Sequence, residues 1–219
     1  DDPSRLMLSR GRWPEVDVNP AVTAIECRRK IRTKLPEWYA EPGIIFPDRI
    51  CAEQSSSSET ASYKASVASR IIRETLADKS ADISTESDES HSDVIRGRIA
   101  DLTGGLGVDS LAFSLVAKNV LYNEMNPERA AAAKHNFALL GAANIDVISH
   151  CVQPRKGLAD DFWDTLTTFR PDLIYMDPAR RSTTGNKVFL LEDCSPDVLT
   201  LLSDLFRISV NLLLKLSPM

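Results

Sequence analysis

The stretch Asp101-Leu102-Thr103-Gly104-Gly105-Leu106-Gly107 decides the fold of this 219-residue chain. It stands between residues 98–102, which have the composition of a strand, and residues 108–118, whose apolar positions recur at helical spacing. Glycines in such a turn let the backbone bend sharply and approach a ligand closely. The helix that follows points its N-terminus at that ligand. The stretch therefore predicts the ligand-binding turn of an α/β sheet.

Strands and helices alternate through the remainder of the chain. Strands are predicted within residues 119–126, 145–151, 173–176 and 210–216, and helices from Asn126-Pro127 to Gly141, over residues 158–169 and from Ser195-Pro196 onward. Strict alternation implies right-handed crossovers and a parallel sheet covered on both faces. We therefore expect a Rossmann-like sheet with five strands.

The region before this sheet has a different pattern. Residues 1–77 are predicted to be mainly helical, with one helix that starts at Asn19-Pro20 and ends at Leu35-Pro36, and another that starts within residues 55–60. Residues 78–94 are acidic and rich in serine, which predicts an exposed linker. The expected division is a helical region (1–77), a linker (78–94) and a sheet domain (95–219).

Composition excludes some classes of protein. The net charge is −5, so a basic surface for nucleic acid is not evident from the total. The four cysteines are scattered, which argues against a disulfide framework and favours the reducing cytoplasm. The three histidines are isolated, so no metal site is expected. No apolar run has the length of a membrane span, and no signal peptide is visible, so no membrane partner is expected.

An acid follows the second predicted strand. Glu124, in Asn123-Glu124-Met125-Asn126, lies about 20 residues after the glycines, where a carboxylate can accept hydrogen bonds from ribose hydroxyls. The spacing Gly105-x-Gly107-x-x-Ser110 differs by one residue from the dinucleotide fingerprint, so a dinucleotide remains an alternative. A tight turn without a ligand is a further alternative.

Three features favour S-adenosylmethionine (SAM) over a dinucleotide. Asp101 precedes the glycines, where it can hold the loop or the cationic end of the methionine part, whereas a pyrophosphate would be repelled. Ser110 replaces the third glycine of the fingerprint. The fourth strand ends in Asp177-Pro178, which a dehydrogenase does not need. We therefore predict SAM as the cofactor.

The segment Asp177-Pro178-Ala179-Arg180-Arg181 predicts the catalytic edge of the pocket. A carboxylate and a proline carbonyl can hold an exocyclic amine from two sides and aim its lone pair at the methyl group. Arg180 and Arg181 can hold phosphate or stack on a base. The alternative is an ordinary loop with a capping aspartate and solvated arginines.

These motifs resemble the class I methyltransferases that carry a THUMP-like domain. The resemblance is carried by DLTGGLGVDS (101–110), DPARR (177–181) and KLSPM (215–219), and ahead of the sheet by EQSSSSETA (53–61), KLPEW (34–38) and Tyr63-Lys64. That family is distantly similar to trimethylguanosine synthase and the RNA guanine-N2 methyltransferases. The resemblance implies SAM contacts at Asp101, Thr103, Gly104, Gly105, Gly107, Glu124, Met125, Cys151 and Asp177. It implies catalysis by Asp177 and Pro178, and substrate contacts at Arg180, Arg181, Ser56, Ser58 and Lys215.

The chain departs from that pattern at three positions. Cys151 stands where many relatives have an aspartate near the adenine. Ala179 replaces the second proline of the better-studied amine methylators, and Arg180 replaces their stacking aromatic residue. No cysteine follows the fifth strand, as the RNA uridine-C5 methylators would require.

The predicted function is methyl transfer from SAM to an RNA nitrogen, with the exocyclic amine of guanine as the first candidate. Alternatives are a methyltransferase for a protein or small molecule, and a catalytically silent module that binds SAM or RNA. The basic run of residues 28–34 is either a phosphate contact or a solvated helix face. The sequence does not indicate an oligomeric state.

The fold that the resemblance implies continues beyond a fifth strand into further strands and a THUMP-like domain. Residues 210–216 would then form an exposed apolar edge, which natural proteins avoid. We therefore expect the chain to be part of a longer protein whose C-terminal strands are missing here.

Overall fold

The computed structural model describes residues 2–81, 95–156, 160–179 and 194–216. Ahead of the first strand the described chain is helical. Its helices are α1 (Pro3–Leu8), α2 (Val18–Ile31), α3 (Pro36–Ala40), α4 (Arg49–Gln54) and α5 (Ser58–Ala81), with a 3-10 turn at Arg10–Arg12. In the described part of the chain, no helix is both long and apolar enough to cross a membrane.

Strands and helices then alternate, as predicted. The order is β1 (Ile95–Asp101), α6 (Val108–Ser114), β2 (Ala117–Asn123), α7 (Pro127–Leu139), β3 (Ile145–Ile148), α8 (Asp161–Phe169), β4 (Leu173–Met176), α9 (Val198–Ile208) and β5 (Leu212–Leu214). All pairings are parallel, and the strands lie in the order β3-β2-β1-β4-β5. The prediction of a five-stranded, Rossmann-like parallel sheet is confirmed.

Each face of the sheet is covered by helices. Because successive strand residues point to opposite faces, Ile99 and Tyr175 pack with the N-terminal helices and α6, whereas Ala100 and Ile174 pack with α8 and α9. Strands buried on both faces are expected to be nearly continuous in apolar residues. β4 (LIYM) is buried at every position, which explains its strongly apolar sequence.

The N-terminal helices share the core of the sheet. Trp38 is fully buried in the same apolar cluster as Ile99. The segment after α3 is also tied to α7, because the backbone N–H of Ile45 donates to Oδ1 of Asn136 and Nδ2 of Asn136 donates to the carbonyl of Ile45, both at 2.9 Å. The first third of the chain is thus packed onto the side of the sheet where α6 and α7 lie.

Several boundaries differ from the predictions. Helix α2 begins at Val18, because the Asp17 side chain caps it and Asn19 lies inside the helix. Pro36 both ends the preceding turn and starts α3, which the sequence analysis did not anticipate. Helix α6 ends at Ser114 rather than near residue 118, because β2 already begins at Ala117.

The predicted linker overlaps the end of a helix. Helix α5 continues to Ala81, so the first residues of the 78–94 segment are helical. Residues 82–94 lie outside the described residues. The division into residues 1–77, 78–94 and 95–219 therefore stays a prediction.

Asn136→Ala should lower the free energy of unfolding by about 2–4 kcal/mol, because it leaves the N–H and carbonyl of Ile45 without partners inside the protein. Chemical denaturation measures this. Asn19→Ala is the control, since the Asn19 side chain is exposed and bonds only to Asp17; it should not lower stability. A loss at Asn136 no larger than at Asn19 would show that the Ile45 contact is not needed.

Candidate functional site

A cavity of about 710 Å³ opens at the carboxyl ends of β1, β2 and β4. This is the edge at which ligands bind in parallel α/β sheets. The walls are formed by residues 50–51, 54–56, 102–109, 123–125, 129, 150–152, 177–179, 195–196 and 215. The sheet domain supplies most of the wall, and the segment from α4 to the start of α5 closes one side.

The glycine loop lies directly on an aromatic ring. A Cβ on Gly104 would stand 2.0 Å from the ring of Tyr122, so no other residue fits without moving the loop. Gly107 has φ 94°, and a Cβ there would also meet Phe137 at 2.6 Å. The Tyr122 hydroxyl donates to the carbonyl of Gly105 at 2.6 Å. The loop is therefore fixed by packing from below and by a hydrogen bond.

Asp101 lies beneath the loop and does not line the cavity. Its carboxylate accepts from the backbone N–H of Thr103 at 3.0 Å and from the Ser110 hydroxyl at 2.6 Å. Burial raises the pKa of Asp101 from 3.8 to about 7. Of the two roles expected for Asp101, the structure shows the one that holds the loop.

Glu124 and Asn123 organise the end of β2. Glu124 is buried in the cavity wall, where its carboxylate accepts from the N–H groups of Gly105 and Asn126, each at 2.9 Å. The Asn123 amide donates to the carbonyls of Leu102 and His150 and accepts from the His150 N–H. It thereby joins the ends of β1 and β2 to the chain after β3. The Glu124 carboxylate is thus held facing the glycine loop.

Asp177 stands in the cavity wall, just after β4. Its backbone N–H donates to Oγ1 of Thr103 at 2.7 Å, which ties the end of β4 to the glycine loop. Nζ of Lys215 donates to both carboxylate oxygens of Asp177, at 2.9 and 3.1 Å. Burial raises the pKa of Asp177, and the hydrogen bond and positive charge of Lys215 oppose that rise.

Most of the residues predicted for the site meet in this cavity. It is lined by Thr103, Gly104, Gly105, Gly107, Glu124, Met125, Cys151, Asp177, Pro178, Ser56 and Lys215. Ser58 is a correction: its hydroxyl donates to Glu37, its backbone N–H donates to the carbonyl of Lys34, and it does not line the cavity. Arg180 and Arg181 lie outside the described residues.

Lys215 was predicted as a substrate contact, but in the structure its ammonium is paired with Asp177. The basic run of residues 28–34 is also largely engaged within the N-terminal region. Arg28 donates to the carbonyls of Tyr39 and Glu41, Lys30 pairs with Glu53, and Lys34 donates to the carbonyls of Ala52 and Glu53. The structure therefore favours a local structural role for these three side chains.

A polar junction that the sequence analysis missed joins the N-terminal helices to the cavity. It consists of Ser56, Lys64, Asp109 and Tyr175. Lys64 is buried and pairs with Asp109, while its Nζ also reaches Oγ of Ser56 at 2.7 Å and the Tyr175 hydroxyl at 3.0 Å. Asp109 belongs to the motif of residues 101–110 and Lys64 to the pair Tyr63-Lys64, yet nothing in the sequence indicated that their side chains meet.

A second pair borders the cavity near Glu124. Arg129, at the start of α7, lines the cavity and donates to Asp48 at 2.7 Å. Asp48 also caps α4 by accepting from the N–H of Cys51. Among the residues that the structure describes, no group of three or more His, Cys, Asp and Glu side chains is placed to hold a metal ion.

The chain is similar to solved methyltransferase structures. A candidate methyltransferase from Porphyromonas gingivalis W83 is 31% identical, with a TM-score of 0.69. The match covers 100% of this chain and 46% of that protein, so this chain spans about half of its length. No protein-family model matches the sequence, and no curated protein matches it.

Weaker similarities extend over part of the chain. A candidate RNA methyltransferase from Pyrococcus horikoshii is 23% identical over 53% of this chain and 48% of its own, with a TM-score of 0.35. A tRNA m1G37 methyltransferase from M. jannaschii is 18% identical over 38% of this chain and 23% of its own, with a TM-score of 0.28.

Asp101→Asn should change how stability depends on pH. The folded protein keeps the Asp101 proton up to a pKa of about 7, whereas the unfolded chain releases it near 3.8. The favourable burial of the neutral carboxyl is therefore complete below pH 4 and is lost as the pH rises toward 7. Wild type should lose stability relative to Asp101→Asn as the pH rises from 3.8 to about 7.

Chemical denaturation at several pH values measures this difference. Asp146→Asn, on the exposed side of β3, is the control and should follow wild type throughout. Parallel pH profiles for wild type and Asp101→Asn would contradict the raised pKa.

Proposed function

We propose that this chain is the core of a SAM-dependent methyltransferase that acts on RNA, with the exocyclic amine of guanine as the first candidate target. One observation carries the proposal: Asp177 is fixed in the cavity wall by Thr103 of the glycine loop and by Lys215. A carboxylate held in this way at the end of β4, beside a glycine loop, suits the alignment of a nucleophile with a methyl donor.

The residues of the cavity fit SAM. A volume of about 710 Å³ lies in the range of small-molecule and cofactor sites. Gly105 has open space around its missing side chain, so a ligand can approach its backbone. Each oxygen of Glu124 accepts one backbone N–H, which leaves each a lone pair for a ribose hydroxyl.

The charges of the wall favour SAM over a dinucleotide. Asp109, Glu124 and Asp177 all line the cavity. Asp109 and Asp177 are paired with Lys64 and Lys215, and the wall cation Arg129 is paired with Asp48. Among the described wall residues, Glu124 is thus the carboxylate without an ion pair, and it attracts a sulfonium or an ammonium and repels a pyrophosphate. Asp101 takes no part in this attraction, because it lies below the cavity.

When bound, SAM supplies an electrophilic methyl group on its sulfonium sulfur. Asp177 accepts a hydrogen bond from the target amine, and the carbonyl of Pro178 accepts a second one. Both hold the nitrogen lone pair toward the methyl group. Lys215 favours the ionised form of the Asp177 carboxylate and fixes its plane, so that it can also receive the proton that the methylated nitrogen releases.

RNA is proposed as the substrate because of the resemblance at residues 177–181 and 215–219. Arg180 and Arg181 are the proposed phosphate contacts, Met125 and Cys151 the proposed neighbours of the adenosine, and the cytoplasm the proposed location. The basic run of residues 28–34 is a weaker candidate for binding RNA than its composition suggested, since Arg28, Lys30 and Lys34 bond to other parts of the N-terminal region. The RNA-binding surface is therefore proposed to lie near the mouth of the cavity.

The substrate is tested with RNA from a strain that lacks the gene. Mass spectrometry of its nucleosides should show one methylated nucleoside missing, with N2-methylguanosine as the first candidate. Complementation with the wild-type gene should restore it, and complementation with Asp177→Ala should not. Unchanged RNA, with a methyl group missing from a protein or small molecule, would contradict the RNA assignment.

SAM should bind with micromolar affinity, whereas NAD should not bind. Glu124→Ala should weaken SAM binding by about 1–3 kcal/mol, because the ribose hydroxyls lose their charged acceptor. Isothermal titration calorimetry measures both. Glu128→Ala, an exposed acid in the first turn of α7, is the control and should bind like wild type. Binding of NAD without SAM would overturn the cofactor assignment.

Asp177→Ala should keep SAM affinity within a few-fold of wild type and abolish turnover. The reason is that Asp177 is proposed to hold the target amine rather than the cofactor. Calorimetry gives the affinity, and transfer of a labelled methyl group to RNA gives the turnover. A large loss of SAM affinity would instead make Asp177 a cofactor contact.

A further inference from the structure

Asp109 has one satisfied carboxylate oxygen and one bare oxygen. Its Oδ2 accepts from Lys64, from the Ser56 hydroxyl at 3.1 Å and from the Tyr175 hydroxyl at 3.0 Å. Its Oδ1 is buried and has no hydrogen-bond partner among the residues that the structure describes. A buried carboxylate oxygen without a donor is costly and rare in folded proteins. The missing donor points to a ligand.

The polar junction itself cannot supply that donor. All three N–H groups of Lys64 have acceptors, namely Ser56, Asp109 and Tyr175. The two hydroxyl groups already donate to Oδ2. Asp109 nevertheless lines the cavity, next to the glycine loop, and 12% of its side chain is exposed. A small rotation of the carboxyl group therefore brings the buried Oδ1 within reach of a donor on the molecule that fills the cavity.

The other acid of the glycine motif is already engaged. Asp101, first expected to be free for the cationic end of the methionine part, is fully buried below the cavity and bonded to Thr103 and Ser110. Asp109 is the acid of residues 101–110 that reaches the cavity wall. An ammonium group satisfies a bare carboxylate oxygen best, because its hydrogen bond is assisted by charge.

We propose that Asp109 binds the α-ammonium group of the amino-acid part of SAM, and that Lys64 is a positioning residue that holds the Asp109 carboxylate in the required orientation. The proposal rests on the proposed function, since it deepens the same cofactor site. It makes helix α5, which lies ahead of the sheet, part of the cofactor site. Ser56, which lines the cavity and bonds to Asp109, completes that contact.

Lys64 acts through Asp109 and does not need to touch the cofactor. The side chain of Asp109 is only 12% exposed, and Lys64 is the cation paired with it. Without Lys64, Oδ2 loses its charged donor, and the carboxylate is no longer held in place. Ser56 and Tyr175 also donate to Oδ2, so that Oδ1 is the oxygen left for the ligand.

Two ligands separate this role from a merely structural one. S-adenosylhomocysteine carries the amino-acid part, and 5′-methylthioadenosine lacks it. By calorimetry, Asp109→Asn should bind S-adenosylhomocysteine about tenfold or more weakly than wild type, because a charged hydrogen bond is lost. Its affinity for 5′-methylthioadenosine should stay within about twofold, since the adenosine contacts are unchanged.

Lys64→Met should show the same selective loss of affinity for S-adenosylhomocysteine. Tyr175→Phe should show a smaller loss, since Lys64 and Ser56 still donate to Oδ2. Lys30→Met is the matched control, because Lys30 forms an exposed ion pair with Glu53 in the same region. Thermal unfolding is recorded for each variant. If Lys64→Met fails to fold, Asp109→Asn and Tyr175→Phe decide the question.

Equal losses for both ligands in Asp109→Asn would show that the polar junction only supports the fold, and would overturn the inference. Unchanged affinity for S-adenosylhomocysteine would overturn it as well. In both cases wild type still binds the two ligands, so the proposed cofactor stands. If wild type binds neither ligand, the proposed function itself fails and the inference with it.

Discussion

Contact between Gly104 and the ring of Tyr122 is the constraint on which the site depends. The ring occupies the space of any side chain at position 104, and the Tyr122 hydroxyl holds the loop at Gly105. With the loop fixed there, the N–H of Gly105 faces Glu124, and the hydroxyl of Thr103 meets the N–H of Asp177. One packing contact on β2 thus sets the relative positions of groups at the ends of β1, β2 and β4.

The N-terminal helices complete this arrangement rather than standing apart from it. Residues 54–56 line the cavity, and Lys64 reaches through to Asp109 on α6 and Tyr175 on β4. The buried side chain of Trp38 lies in the same core as the sheet. Polar and apolar contacts therefore act together, and the cavity is formed by both halves of the described chain.

The sheet was predictable because its signals are local. Glycine spacing, the Asn126-Pro127 helix start and the apolar run of residues 173–176 each depend on neighbouring residues only. Once the sheet was predicted, the site residues at the strand ends could be predicted too, since parallel strands bring their carboxyl ends together. Lys215 was placed at the site by resemblance, but its pairing with Asp177 was not foreseen. Such ion pairs depend on side-chain direction, which sequence spacing does not give.

The rest of the site depends on contacts between distant parts of the chain. The junction of Lys64 with Asp109 and Tyr175 has no local signature, because a lysine on a polar helix face usually points to water. Ser58 was expected beside Ser56 in the cavity, yet helix α5 begins at that residue and turns it toward Glu37. From the motif, Asp101 was a candidate to bind the cationic end of the methionine part, but the sheet buries its side chain. The sequence identified the residue types, and the tertiary packing assigned their partners.

The polar junction also bears on how the chain acquires its structure during synthesis. Lys64 is synthesised before its partners Asp109 and Tyr175, which follow 45 and 111 residues later. Until then its ammonium group stays hydrated, because burying it unpaired would be costly. Helix α5 can form in the nascent chain, but the polar junction is complete only after β4 has emerged. Because contacts of such sequence separation slow folding, the face of α5 that carries Lys64 stays hydrated until that point.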